Sequence, residues 1–182
     1  MAAAPPDDLS RLSLEEIAAL AESRTLPPVE QWHPEREGEI DIRIAADGTW
    51  YHESDPIRRD RLVRLFSTIL RREPGGGYAL VTPVEKLAIH VEDAPFVAVE
   101  MKRAEGRLAF RLNTGDLVVA GPDHPLALRD GPDGALPYLH VRGDLWAKLA
   151  RPVYYEVMNL ALEQDPAGVT SDGAFFALEP AA

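Results

Sequence analysis

Asp47–Lys86 reads DGTWYHESDPIRRDRLVRLFSTILRREPGGGYALVTPVEK, and its changes of hydrophobic period decide the fold class. Asp47-Gly48 is a hairpin signal, because glycine accepts the positive φ that a two-residue turn requires. Upstream, Ile40, Ile42 and Ile44 alternate with Asp41, Arg43 and Ala45, the period of a half-buried strand. Thr49-Trp50-Tyr51 is the return strand, and Asp55-Pro56 opens a helix. At about 100° per residue, Leu62, Leu65, Phe66, Ile69 and Leu70 share one side of it, opposite Arg58, Arg61, Arg64, Arg71 and Arg72. Pro74-Gly75-Gly76-Gly77 caps that helix, and Tyr78–Val81 is the next strand.

Toward the N-terminus, Ser13 and Glu16 form a capping box, in which each side chain satisfies the other's orphan backbone N–H. A helix over 14–23 follows and stops at Pro27-Pro28. Residues 1–38 therefore read as an arm with one short helix, anchored by Trp32, and the first dozen residues read as dispensable for folding. Toward the C-terminus the chain is mostly β. Leu87-Ile89-Val91, Val97-Val99-Met101 and Leu108-Phe110-Leu112 each alternate, and Gly-Pro-Asp turns follow at 121 and 131. Such spacing predicts a closed or nearly closed antiparallel sheet. Asp144 then caps a helix with Leu145, Leu149, Val153, Val157 and Leu160 on one side, kinked at Pro152. Ser171-Asp172-Gly173 turns into a last strand. The order strand, helix, glycine turn, strand thus occurs twice.

The expected fold class is α+β, with two small domains that share a duplicated strand-helix-strand core. The divisions are an arm at 1–38, an α+β domain at 39–86 and a β-rich domain at 87–182.

Composition narrows the function. The 182 residues hold no cysteine, which excludes disulfides, thiolate metal sites and cysteine nucleophiles. The N-terminus MAAAPPDDLS lacks a basic flank and an apolar run, and no stretch reaches the ~18 apolar residues of a membrane span. A cytoplasmic chain without membrane contact is expected. Nineteen basic and thirty acidic residues give a net charge of −11, which opposes general nucleic-acid binding. Against that background, residues 58–72 carry six arginines.

No motif assembles a reaction centre. The glycines at 75–77 follow a helix and precede a strand, the reverse of a phosphate loop. Arg142-Gly143-Asp144 reads as a turn and helix cap. The five histidines lie apart without metal-ligand spacing, and His52 to Asp55 are too close in sequence to form a triad. Glu92 and Asp93 read as a solvated turn. No catalytic residue, metal or cofactor is therefore assigned. Arg58, Arg61 and Arg64 are a candidate patch for an anion or an acidic partner, since guanidinium forks pair with oxyanions. A solvated helix face neutralised by Glu35, Glu37 and Glu39 is the alternative. A second candidate set is Arg142, Arg151, Tyr154 and Trp50, the arginines near a helix start and the rings available to stack a base.

The segments GTWYHESDPI, LVRLFSTILRRE, YALVTPVEK and VEDAPFVAV, with RGDLWAKLARPVYYEVMNLAL and SDGAFFAL, resemble the bacterial domain-of-unknown-function family DUF1285 over roughly residues 36–178. The resemblance implies a two-domain protein with a duplicated core, whose C-terminal part is pleckstrin-homology-like. It also implies a nucleotide-like ligand near the domain interface and a role in signal transduction. It supplies no catalytic residues. The expected function is a non-catalytic sensor or adaptor that binds a small anionic or nucleotide-like ligand at the domain interface. The alternative is a protein–protein interaction module without a small-molecule ligand.

Overall fold

The computed structural model describes residues 9–23 and 25–179. The protein is α+β, with two domains, each built on a six-stranded mixed sheet with helices. By contact the chain divides into two units. One comprises Thr25–Pro95 with Gly143–Leu145; the other comprises Phe96–Arg142, residues 146–179 and, among the described N-terminal residues, 9–23.

In the N-terminal unit, strands β1 (Arg36–Ile44), β2 (Trp50–His52) and β3 (Asp55–Pro56) lead into α2 (Asp60–Thr68). Strands β4 (Leu70–Arg72), β5 (Tyr78–Val81) and β6 (Glu85–Val91) follow. The Asp47-Gly48 turn forms as expected: Gly48 has φ 89°, and Asp47 Oδ1 accepts the Thr49 N–H at 2.9 Å. Ile42, Ile44, Trp50, Leu70 and Val81 are buried, and Phe66 of α2 stacks on Trp50 with ring centroids 6.3 Å apart. The order is β3-β2-β1-β6-β5-β4, with β1 and β6 parallel at the centre.

The helix is shorter than periodicity suggested. Asp55-Pro56 is a strand, and Leu70-Arg71-Arg72 pairs with Leu80, Ala79 and Tyr78. The glycine run is thus the tip of the β4–β5 hairpin rather than a helix cap. There Gly76 takes φ 97°, which only glycine adopts without strain. The expected domain boundary at 86/87 falls inside β6, which pairs with β1 and β5; the contact division lies at Pro95/Phe96.

In the C-terminal unit, α1 (Leu14–Ser23) comes first in the chain. Its capping box is formed, with Ser13 N–H donating to Glu16 Oε2 at 2.7 Å and Glu16 N–H to Ser13 Oγ at 3.2 Å. The strands are β7 (Phe96–Ala104), β8 (Arg107–Leu112), β9 (Leu117–Val119), β10 (Leu126–Gly131), β11 (Gly134–Arg142) and β12 (Leu145–Leu149). Then come α3 (Arg151–Ala161) and the separate hairpin β13 (Gly168–Ser171) and β14 (Ala174–Ala177). Leu9, Leu14 and Ile17 form one core cluster with Ala109 of β8, flanked by Leu117 and Val119 of β9. Ser171 Oγ accepts the Leu108 N–H and donates to Ala120 O, which ties the last hairpin to this sheet.

Three expectations are corrected here. The sheet order β10-β11-β12-β7-β8-β9 shows no closed barrel among the described residues, and β7 pairs with β12 in parallel. Leu145–Leu149 is a strand, with Leu145, Ala147 and Leu149 buried and Trp146 and Lys148 half-buried. Leucines four apart satisfy both periods, so spacing alone did not separate them. Pro152 lies in the first turn of α3 rather than kinking it, since a first-turn residue has no need of its N–H.

Both sheets have one strand order. Each joins two runs of three consecutive strands through a central parallel pair made by its first and last strands. The helices do not occupy equivalent places: α2 links the two runs, whereas α3 follows the sixth strand. No described helix is long and apolar enough to cross a membrane.

Candidate functional site

A nine-residue helix placed between two edge strands of one sheet can bury only one side. In α2 the fully buried residue is Ser67, whose hydroxyl donates to Arg64 O at 2.7 Å, and Leu62, Val63 and Phe66 are half-buried beside it. That places the buried side over 63 and 67, so the solvent side is centred on Arg61 and Leu65. Leu65, expected in the core, is 59% exposed. Arg58, Arg59 and Arg61 are exposed and Arg64 is half-buried. Among the described residues, none of these four guanidiniums makes an ion pair. Arg59 is the N-cap of α2 without a side-chain cap bond, so the first-turn N–H groups lack a side-chain partner there.

The other two arginines of the run behave differently. Arg71 is 8% exposed; its Nη1 donates to Val29 O and Trp32 O, each at 2.8 Å, and its Nε donates to Glu73 at 3.0 Å. It is a structural clamp that fixes residues 29–32 to β4. Arg72 lies over the Tyr78 ring at 4.4 Å. The acids expected to neutralise the helix are engaged elsewhere or free of it: Glu37 pairs with Lys86 at 3.0 Å.

The second candidate set is dispersed. Trp50 is 1% exposed in the core of the N-terminal sheet and offers no face to a base. Arg142 ends β11, half-buried, with its guanidinium over the Phe96 ring at 5.2 Å. Burial draws it down to about 10, so it stays charged at neutral pH. It does not precede a helix, because β12 intervenes. Arg151 is the exposed first residue of α3, and half-buried Tyr154 meets Tyr155 edge to face at 5.4 Å.

Two features escaped the sequence reading because their members are far apart along the chain. One is a groove of about 440 Å³ on the N-terminal sheet, lined by Glu37, Glu39, Glu73, Tyr78, Ala79 and Lys86, among others. Three carboxylates around one ammonium make it unsuited to an anion. The other is the ring contact of His124 with His140, centroids 5.7 Å apart, and of His140 with Trp146 at 5.2 Å. Burial, and then the neighbouring His140, hold His124 below the usual imidazole value. Among the described residues no cluster of three or more ligating side chains could hold a metal ion. Glu92 accepts from Ala46 N–H and Arg43, and these bonds hold its carboxyl below the usual value.

Two family models match the chain. "Domain of unknown function (DUF1285), N-terminal domain" covers residues 27–94, and "Protein of unknown function (DUF1285), C-terminal domain" covers residues 95–178. Their junction falls one residue from the contact division. The chain is similar to the crystal structure of a DUF1285 family protein from Silicibacter pomeroyi. Identity is 42% and the TM-score 0.78, over 89% of this chain and 93% of that one. A DUF1285 family protein from Shewanella baltica is 31% identical with a TM-score of 0.53, over 65% of this chain and 90% of that one. No curated protein matches. The chain belongs to the DUF1285 family.

Proposed function

We propose that this DUF1285 protein is a non-catalytic ligand-binding protein, a signalling sensor or adaptor, that takes up a small anionic ligand such as a nucleotide. The observation that carries the reading is the α2 face. Four guanidiniums stand without an ion pair among the described residues of a chain whose net charge is −11. Thirty acids were available to neutralise them, and unpaired cations beside uncapped helix N–H groups suit an oxyanion. Arg58, Arg61 and Arg64 are its binding residues. Arg142, Arg151 and Tyr154 form a second, weaker set, in which Arg151 at the start of α3 is the exposed cation. A cytoplasmic location and no general nucleic-acid or membrane binding accompany the proposal, on the grounds of net charge and composition.

We also infer a duplication, with a pleckstrin-homology-like C-terminal half. Its support is the shared strand order, and the repeated unit is then the six-stranded sheet rather than strand-helix-strand.

The test is thermal unfolding with pyrophosphate, ATP, GTP and a sulfate control. A ligand at a hundredfold excess over Kd stabilises the native state by about 2.7 kcal/mol. The expected result is a raised midpoint with a phosphate compound, abolished in an Arg58→Ala, Arg61→Ala double variant. A midpoint unmoved by every compound would overturn the reading. A protein–protein interaction module is the second reading, favoured by the exposure of Leu65 in the same face.

A further inference from the structure

The solvent face of α2 mixes two chemistries. Arg61 and Leu65 are four apart and stack along the helix, Arg64 adjoins Leu65, and Arg58 lies in the chain just before the Arg59 N-cap. A site for a free phosphate has no use for a large apolar side chain left 59% in water at its centre. An interface does: arginine is enriched where proteins meet, and covering an apolar side chain beside it excludes water from the charge pairs around it.

We propose that this face docks an acidic, leucine-bearing segment of a protein partner. Leu65 is the apolar anchor, and Arg58, Arg61 and Arg64 hold carboxylates around it. The inference rests on the reading above, that the α2 guanidiniums take up anionic groups, and it names the partner at that same face. The charge of the chain favours a protein segment over a polynucleotide. A net charge of −11 repels a polyanion at long range, whereas a short acidic segment meets mainly the local cations within a Debye length.

The experiment is fluorescence anisotropy of the full chain with a labelled peptide of Glu-Glu-Leu repeats. Glu-Glu-Ser repeats and oligothymidylate serve as competitors, and pyrophosphate thermal shift is measured in parallel. The expected result is binding of the Glu-Glu-Leu peptide, weakened on the order of tenfold by Leu65→Ser. Leu65→Ser leaves the pyrophosphate shift intact, and Arg61→Glu abolishes both signals. Unchanged apo midpoints show that both variants fold. Equal affinity for Glu-Glu-Ser, tighter binding of oligothymidylate, or no effect of Leu65→Ser overturns the docking inference. If pyrophosphate stabilises the chain and the peptide does not bind, docking falls alone. If neither binds, the anion reading falls with it.

Discussion

The two sheets share a strand order and differ in what their helices do. In the C-terminal unit, α1 and α3 bury apolar residues: Leu14 and Ile17 of the first, and Val153, Val157 and Ala161 of the second. In the N-terminal unit, α2 fully buries one serine and turns a leucine and arginines outward. A helix that covers a sheet is selected for its buried stripe. A linking helix of nine residues is held at both ends by the strands it joins, so its outer face is free to carry charge. The comparison sets helices that bury an apolar stripe against one that leaves a leucine and its neighbouring arginines in solvent.

The sharpest way to break this comparison is a pair of leucine truncations. Leu149→Ala, in a strand of the C-terminal core, is expected to cost about 2–5 kcal/mol in denaturant unfolding. Leu65→Ala is expected to cost less than about 0.5 kcal/mol, as for an exposed side chain away from special features. Similar losses at both sites would mean that α2 covers a core after all.

Next in size is Arg71→Met, which removes the cation shared by Val29 O, Trp32 O and Glu73. Hydrogen bonds to charged groups are each worth about 1.5–3 kcal/mol, and an expected loss of about 2–3 kcal/mol reflects partial rescue of Glu73 by Lys86, 3.8 Å away. Hydrogen exchange should quicken at residues 29–32 and stay unchanged in β7 and β8.

Deleting residues 1–12 is expected to lower stability by about 1.5–3 kcal/mol, the value of a buried leucine. The sequence reading had made this segment dispensable. Residues 1–8 lie outside those described, but Leu9 is fully buried, and its N–H donates to Glu100 at 3.0 Å. Lys102 also bonds Leu12 O. An unchanged midpoint would remove α1 and its approach from the C-terminal core.

The smallest effect is on pH dependence. His124 titrates below the ordinary imidazole value of about 6.5 in the native state because burial and His140 oppose its charge. Between the two values the unfolded chain binds the extra proton, so stability falls as pH drops below about 6.5. The loss levels off once pH passes below the native value, where both states carry the proton. His124→Gln should flatten the slope that sets in below about pH 6.5. In the N-terminal unit Glu92 responds in the same sense, depressed from 4.5 by its bonds to Ala46 and Arg43. Its contribution is present above about pH 4.5 and is lost only below it. A slope near pH 6 that survives His124→Gln would assign it elsewhere.

Local chemistry was legible in the residues. The Ser13–Glu16 capping box, the Asp47-Gly48 turn, the alternating strands and the cation excess at 58–72 all rest on groups close in sequence. Which members of that excess are available was not legible. Arg71 and Arg61 are alike in sequence terms, yet one is clamped by carbonyls some forty residues away and the other is open to solvent.

The sequence by itself determined the α+β class, the first helix with its cap, the family and the arginine-rich segment, because each depends on neighbouring residues. Tertiary structure alone decided three things. It turned the side of α2 that carries Arg61 and Leu65 to solvent, made Leu145–Leu149 a strand, and joined the first and last strands of each sheet in parallel. The reason is physical: leucines four apart fit a helix stripe and one face of a strand equally well. Only the partner surface that removes them from water selects between the two.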